Sequence, residues 1–447
     1  MPSPSHRRTA LIACACFAVT LLAYLPLKTA RILNQNDNFW YVPTAMSLLN
    51  DGDIELSEFV QPTKELSKDL TFLAEYLGED DYRIFRTEDG RVLNRYPIST
   101  SIACVPVVAV LQLHYGKAEN PVWAAIWMAL LTAKIYGAAT VGAFFVLAQQ
   151  LTKRLGWSLL LTVILAFSSL NFGQHAGGLW SHNPASFYVV LALIALATNR
   201  SRCVWLAAFP LVFSVTMRPD VILLIAAATL FVFIHHRSCF WKYALVGAAG
   251  ALTYVVFCKL NYDAFTQPYP GPVKVLGRDF ARGMPGLLIS PNRGLFVFMP
   301  LCVFSVWGLI HVFRSSKHVM LYRYLACTIV AHWLFLAVWP MWWAGWCFGP
   351  RLFCTLIPLW IIMLVPIIEQ FKRVPVAVVA AACVTWGSFV QFRCLTDADV
   401  HLWNGMPVDV NDYTERLWDW GDLQITRGIG GEYGVDLPRK RVLGDYE

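Results

Sequence analysis

The sequence predicts an all-α membrane protein that crosses the bilayer about eleven times, and three observations point to this class. Of 447 residues, 57% are hydrophobic and only 15% are charged, whereas soluble proteins carry about 25% charged residues. Apolar runs long enough to span a bilayer, roughly 17–25 residues, recur along the chain. Aromatic residues make up 14% of the chain, which suits the aromatic belts at membrane interfaces.

Eleven runs are candidate spans, several of them at or just below the short limit, which is acceptable where snorkelling side chains flank the run. They lie near residues 9–28, 122–150, 157–172, 183–199, 203–217, 219–235, 241–259, 294–313, 320–340, 351–369 and 374–393. The first run follows Arg7 and Arg8, as in a signal peptide, but no small-residue cleavage site follows it. We therefore predict a retained helix. A weaker run over 97–113 is interrupted by Pro106.

Lysine and arginine set the predicted orientation, because cytoplasmic loops carry an excess of both. They fall at alternate ends of the spans: Arg7/Arg8, Lys153/Arg154, Arg200/Arg202, Arg237/Lys242, Arg314/Lys317/Arg323 and Lys372/Arg373. This alternation requires that 97–113 does not cross, so we interpret that run as a juxtamembrane or re-entrant helix. The N-terminus is then cytoplasmic and the C-terminus is outside. The formal charge of +7 is mainly a topology signal, and nucleic acid is not an expected partner.

The long polar segments all fall on the predicted outer face. A transmembrane module covers 1–393, with a first outer loop over 29–96 and a second over 260–293, followed by an outer tail over 394–447. The inner loops are short, which indicates that any chemistry takes place outside. Within the first loop, Asp89-Gly90 between two alternating segments predicts a small β-hairpin.

Asp37 is the candidate catalytic carboxylate. It lies between Asn36 and Asn38, where the first helix leaves the bilayer, and a carboxylate there is costly unless it is solvated, paired or used. It is either a solvated cap or a general base. Asp53 follows in a helix-stop and turn sequence and is a candidate for orienting an acceptor hydroxyl.

Arginines on the outer face are candidates for binding a lipid phosphate, because a guanidinium fork and helix N-terminal N–H groups both bind phosphate. Arg293 and Arg351 each precede a predicted helix beside proline and glycine, and Arg95 precedes Tyr96-Pro97. Arg218, which is close to Asp220, is equally able to form an ion pair. The alternative role for all of them is anchoring to anionic headgroups.

Further candidates for substrate contact are His182, Tyr96, Trp343 and Trp346. His182 lies at the outer end of a helix, where it is either a hydrogen-bonding partner or a catalyst. The two tryptophans belong to a dense aromatic cluster, which is either an interfacial anchor or a wall for a sugar ring or polyprenyl chain.

The sequence indicates no cofactor and no metal site. Most of the 12 cysteines lie in apolar runs, where cysteine acts as a small hydrophobic residue. The CxxC and Cys/His spacings of metal sites do not occur. A divalent metal is left open.

Several stretches, in order along most of the chain, carry a family resemblance: residues 36–37, 45–53, 95–101, 178–184, 217–219, 288–295, 342–351 and 417–424. Together they resemble the GT-C glycosyltransferases, polytopic enzymes that use polyprenyl-phosphate sugars. Protein O-mannosyltransferases and the aminoarabinose transferase of lipid A belong to this group. The resemblance implies a GT-C-like bundle with a catalytic carboxylate in the first outer loop, which maps to Asp37. It also implies a donor-phosphate site formed by arginines of the outer loops, for which Arg293 and Arg351 fit best.

Two departures from the family matter. Many relatives carry a second acidic residue beside the first, whereas Asn36 and Asn38 flank Asp37 here, so a metal bridged by an acidic pair is not expected. The large soluble C-terminal domain of the relatives is also missing, and 394–447 is too short to form an acceptor-binding domain alone.

The preferred hypothesis is an inverting glycosyltransferase of the bacterial inner membrane. It would move a monosaccharide from a polyprenyl-phosphate donor to a periplasmic glycan, lipid or protein acceptor, with membrane lipid around it. Two alternatives remain open. One is a transporter or flippase of lipid-linked sugars, and the other is a ligase that moves a whole glycan from a lipid pyrophosphate.

Overall fold

A computed structural model describes residues 4–27, 39–60, 83–115, 121–198, 200–268, 279–315 and 320–429. These residues are mostly helical, with one two-stranded sheet. The first half of the described chain contains α1 Pro4–Tyr24, α2 Tyr41–Asn50, α3 Ser57–Val60, β1 Ile84–Arg86, β2 Val92–Asn94, α4 Ile98–Tyr115, α5 Pro121–Thr152, α6 Leu155–Phe167, α7 His182–Ala197, α8 Ser201–Val204 and α9 Ala208–Met217. The second half contains α10 Ile222–His235, α11 Arg237–Tyr262, α12 Phe280–Ile289, α13 Leu295–Phe298, α14 Cys302–Arg314, α15 Leu321–Ala337, α16 Ile357–Ile362, α17 Val374–Thr396 and α18 Asp399–Leu402.

Short 3₁₀ and π helices connect several of these elements. A π-helix covers Asn171–His175, and 3₁₀ turns cover Trp205–Ala207, Pro219–Val221, Arg351–Leu356, Val365–Lys372, Thr414–Trp418 and Gln424–Thr426.

Four helices in the described ranges are long and apolar enough to cross a membrane: α1, α5, α11 and α17. A bent pair, Arg351–Ile362 with Val365–Lys372, would make a fifth span. The other predicted spans form apolar helices of 10–17 residues, because breaks such as the one between α13 and α14 divide the apolar runs. The class is therefore that of an all-α membrane protein, while the count of eleven spans remains a prediction.

The long helices differ in how much protein surrounds them. In α5, 72% of the apolar window is buried, whereas in α11 only 11% is. Large apolar side chains on α11, such as Trp241 and Leu245, are among the most exposed in the chain. This pattern is typical of a bundle with a central helix and an outer helix that faces lipid.

The hairpin predicted in the first outer loop is confirmed. β1 pairs antiparallel with β2, with Ile84 opposite Asn94. Gly90 adopts a positive φ of 86° in the connecting turn, a conformation that glycine adopts without a steric cost.

The run with Pro106, predicted as a juxtamembrane or re-entrant helix, forms the continuous helix α4, with Pro106 inside it. Its first turn is tied to the end of α9 by a hydrogen bond of 2.7 Å between the hydroxyls of Ser99 and Thr216. This bond joins α4, which follows the hairpin, to Thr216, two residues before Arg218.

The basic loops that alternate along the sequence meet at one end of the bundle. Arg154 contacts Glu369, Ser201 lies 3.2 Å from His236, and His235 lies 3.1 Å from Tyr324. These contacts join the loops that the positive-inside pattern assigns to a single face.

The C-terminal segment to residue 429 packs onto the opposite end of the bundle. Val400, Trp403 and Ile425 are buried in core clusters with helical residues. The Asn292 side-chain amide donates to the carbonyl oxygen of Arg416 (2.9 Å) and accepts from the N–H of Gln424 (2.6 Å). This part of the predicted tail therefore belongs to the core.

Candidate functional site

The first turn of α7 is the point at which several charged side chains converge. His182 begins this helix and is 3% exposed. Its Nδ1 atom lies 2.8 Å from the hydroxyl of Thr355, so the start of α7 faces the 3₁₀ turn that begins at Arg351. Arg218, Asp220 and Arg351 lie within Coulombic range of His182.

Arg218 and Asp220 form a buried ion pair that extends to a histidine. Arg218 Nε lies 3.0 Å from one carboxylate oxygen of Asp220, and His332 Nε2 lies 3.0 Å from the other. The Asp220 side chain is 4% exposed and that of His332 is 1% exposed. The ion pair that the sequence left open for Arg218 is thus present.

The local sequence explains this arrangement. Arg218 precedes Pro219 and has extended backbone angles, φ −139° and ψ 102°, as expected for a residue before proline. α9 therefore ends at Met217, and a new helical turn begins at Pro219 with Asp220 in it. An acidic residue at a helix start is favoured by the helix dipole.

Arg351 joins the same region from the loop that follows α15. Its guanidinium carbon lies 4.5 Å from the centre of the Trp180 ring, and its Nη2 donates to the carbonyl oxygen of Ala344 (3.1 Å). The side chain is partly exposed. We define the His182 cluster as His182, Arg218, Asp220, His332 and Arg351. Counted over these five described residues alone, two guanidinium groups and one carboxylate give a formal net positive charge.

Arg293 occupies a different environment. It is 1% exposed, and its five N–H groups make five hydrogen bonds. The acceptors are Trp343 O, Asn292 O, Gln424 Oε1, Gly345 O and Asn404 Oδ1, at 2.7–3.1 Å. A guanidinium has five N–H donors, so all of them are used. Arg293 ties the loop after α15 and the C-terminal segment to the bundle.

The two tryptophans from the sequence prediction are also held by the C-terminal segment. Trp343 is 8% exposed, and its indole N–H donates to Asn411 Oδ1 (3.0 Å). Trp346 is 49% exposed, and its indole N–H donates to the Asp409 carboxylate.

The first-loop candidates lie beside the hairpin. Tyr96 is buried against the ring of Tyr41. Arg95 is partly buried, and its N–H donates to the carbonyl oxygen of Arg83, the residue before β1 (3.0 Å). Asp53 is exposed and accepts hydrogen bonds from the Ser47 hydroxyl and the Glu55 N–H, as a turn residue does.

Asp37 lies outside the described residues, which resume at Phe39. Phe39 and Trp40 belong to the same buried cluster as Tyr96 and Leu179. Leu179 is adjacent to Trp180, which carries Arg351 on its ring face.

Sequence reasoning missed His332, Thr355 and Trp180 as members of the site. A signal existed for His332, because an ionisable side chain inside an apolar helix is costly and commonly functional. Thr355 and Trp180 carried no comparable charge signal, since neither side chain is ionisable.

Within the described ranges, no group of three histidine, cysteine or acidic residues is placed to hold a metal ion. The absence of a metal remains a prediction. A scan against protein-family models finds no matching family, and a search of curated proteins finds no match.

Proposed function

We propose that this protein is a membrane glycosyltransferase of GT-C type. It transfers a monosaccharide, with inversion, from a polyprenyl-phosphate donor to a glycan, lipid or protein acceptor on the outer face of a bacterial inner membrane. The observation that carries the proposal is the His182 cluster, a convergence of two guanidinium groups, a helix N-terminus and an aromatic ring at the end of the bundle away from the basic loops.

The cluster suits the phosphate of a lipid-linked donor. The formal positive charge of its five residues favours an anion, and the dipole of α7, whose N-terminus lies at the cluster, adds to the positive potential. Arg351 is partly exposed and is held on Trp180 at a fixed position. In the reaction, Arg351 and Arg218 stabilise the charge that develops on the leaving lipid phosphate.

The remaining members of the cluster act as positioning residues. His182 contacts Thr355, which lies in the same 3₁₀ turn as Arg351. Asp220 fixes Arg218 and is itself fixed by His332. Arg293 is not part of the proposed donor site, because its donors are all used by protein acceptors.

Asp37 is the proposed general base that accepts the proton of the attacking acceptor hydroxyl. It precedes Phe39 by two residues, and two residues of chain span at most about 7 Å. Phe39 shares a buried cluster with Leu179, three residues before His182.

The transfer assay uses the full chain purified in nanodiscs, polyprenyl-phosphate carrying each of a panel of labelled monosaccharides, and membranes of the source cell as acceptor. We expect acceptor-dependent release of polyprenyl phosphate. Asp37→Asn should abolish it, and Arg351→Ala should lower kcat by about 10²–10³-fold, as loss of one charge-stabilising donor does.

The matched control is Arg154→Ala, which removes an exposed arginine at the opposite end of the bundle and should leave transfer unchanged. Full activity of Asp37→Asn would contradict the mechanism. Unchanged donor kinetics in Arg351→Ala would remove that arginine from the donor site. Translocation of the labelled lipid without a new glycosidic product would favour a flippase instead.

A further inference from the structure

A cleft of about 210 Å³ opens between α12, the loop after α15 and the C-terminal 3₁₀ turn. It lies apart from the His182 cluster, and we call it the tryptophan cleft. Its lining residues are Asp279, Arg282, Trp342, Trp343, Thr414, Glu415, Leu417 and Trp418.

The aromatic wall of the tryptophan cleft is rigid. Trp342 lies against α12 where Gly286 leaves room, since a Cβ atom at Gly286 would lie 2.4 Å from the Trp342 ring. The Trp342 ring centre lies 6.0 Å from that of Trp343, edge to face, and 6.4 Å from that of Trp418. The Trp343 indole is further fixed by Asn411.

The polar groups of the cleft are available to a ligand. In the part of the chain that the structure describes, the side chains of Asp279, Arg282, Thr414 and Glu415 form no hydrogen bond or ion pair with the protein. The described lining contains two carboxylates and one guanidinium, so these residues carry a formal net negative charge. The cleft therefore differs in sign from the His182 cluster and is unsuited to a lipid phosphate.

Rigid indole surfaces beside uncommitted carboxylate, guanidinium and hydroxyl groups match the chemistry of a sugar ring. The C–H bonds of a pyranose face carry partial positive charge and are attracted to the negative face of an aromatic ring. Its hydroxyls donate to carboxylates and accept from arginine, and such charge-assisted bonds are the strong ones. The volume is below the roughly 300–1,000 Å³ of pockets that enclose a drug-sized ligand, so it suits one ring.

We infer that the tryptophan cleft binds one uncharged or amino-bearing sugar ring at the end of the acceptor glycan. The assignment of this ring to the acceptor rests on the proposed function. The loop after α15 connects the two sites, because it carries Trp342 and Trp343 at one end and reaches Arg351 at the other, where Ala344 O accepts from Arg351. Donor phosphate and acceptor sugar are thus assigned to two neighbouring sites of opposite charge.

The binding test uses oligosaccharides released by mild acid from the envelope of the source cell and labelled with a fluorophore. These are incubated with the full chain in nanodiscs, and retained glycans are identified by mass spectrometry. The wild type should retain a subset of them. Trp418→Ala and Glu415→Gln should each lower retention at least tenfold.

Trp241→Ala is the matched control, because Trp241 is 80% exposed on α11 and should not alter retention. Glu415 is exposed, and its side chain forms no hydrogen bond or ion pair with the described residues, so Glu415→Gln remains informative if Trp418→Ala misfolds. No retention above empty nanodiscs, or equal retention by Glu415→Gln and the wild type, would overturn the inference.

The transfer assay separates this inference from the proposed function. If transfer proceeds and neither Trp418→Ala nor Glu415→Gln raises the acceptor KM, the cleft is not the acceptor site, although the enzyme assignment stands. If glycans bind at the cleft and no donor is consumed by the wild type, the enzyme assignment fails and a saccharide-binding cleft remains.

Discussion

Arg293, which is buried, and Arg218, which is partly buried, have opposite surroundings. The five acceptors of Arg293 are all neutral carbonyl and amide oxygens, whereas Arg218 pairs with the Asp220 carboxylate. Because all five N–H groups of Arg293 donate to neutral protein oxygens, this arginine holds the surrounding segments in one geometry and has a structural role. Clusters of charged side chains, by contrast, are commonly found at functional sites, where they can bind an ionic ligand. The comparison separates a structural arginine from a candidate functional one.

The largest effect is expected at the structural arginine. Hydrogen bonds to a charged group are each worth roughly 1.5–3 kcal/mol, so Arg293→Ala should cost about 5 kcal/mol or more and release the C-terminal segment. Thermal unfolding and limited proteolysis of that segment would measure this. Arg293→Lys, which offers three donors in place of five, should recover part of the loss.

If Arg293→Ala unfolds at the wild-type temperature but no longer uses the polyprenyl-phosphate donor, Arg293 belongs to the donor site and is not a structural arginine. Arg154→Ala serves as the control here also, because exposed ion pairs contribute only about 0–1 kcal/mol.

The next effect concerns the ionic cluster. Asp220→Ala leaves Arg218 buried without its carboxylate, and breaking a buried pair on one side costs about 3–5 kcal/mol. The double variant Asp220→Ala with Arg218→Met should be less destabilised than the sum of the two single changes, since no unpaired charge remains. Thermal unfolding of the four proteins gives the coupling. Additive losses would show that the pair does not act as a unit.

The smallest effect is a pH dependence at the hairpin. Burial tends to raise the pKa of Glu55, but hydrogen bonds from the Ser57 hydroxyl, the Val92 N–H and the Ser57 N–H outweigh it and hold that pKa below its ordinary value. The charged form of Glu55 therefore stabilises the fold above the ordinary carboxyl pKa, about 4.3. This stabilisation is lost as pH falls through the lower pKa of the folded state.

Glu55→Gln removes that contribution at every pH. The difference in unfolding temperature between wild type and Glu55→Gln should accordingly shrink between pH 6 and about pH 3. A difference that stays constant over this range would mean that the carboxylate does not hold the Val92 N–H.

Local sequence signals predicted much of the fold. Apolar runs gave the helices to within a few residues, and the alternation around Asp89-Gly90 gave the hairpin, because both depend on neighbours in sequence. Run length could not show where a run breaks into shorter helices, as at Met299-Pro300 between α13 and α14.

The site shows the same division. Residue chemistry identified Arg218, Arg351 and His182 as polar groups that needed an explanation, and the structure brings these three together. It could not distinguish Arg293 from Arg351, since each is an arginine beside proline and glycine at a helix start. Their difference depends on Gln424 and Asn404, which lie more than a hundred residues further along the chain than Arg293.

The sequence by itself determined the class of protein, the helical runs and the set of charged side chains, because composition and short-range periodicity are properties of neighbouring residues. Only the tertiary structure decided which arginines donate all their N–H groups to protein acceptors. It also decided that Asp220 and His332 form one cluster, and that three tryptophans and two carboxylates line the same cleft. The physical reason is that burial and hydrogen-bond partners are set by contacts between segments remote in sequence, and no local pattern specifies them.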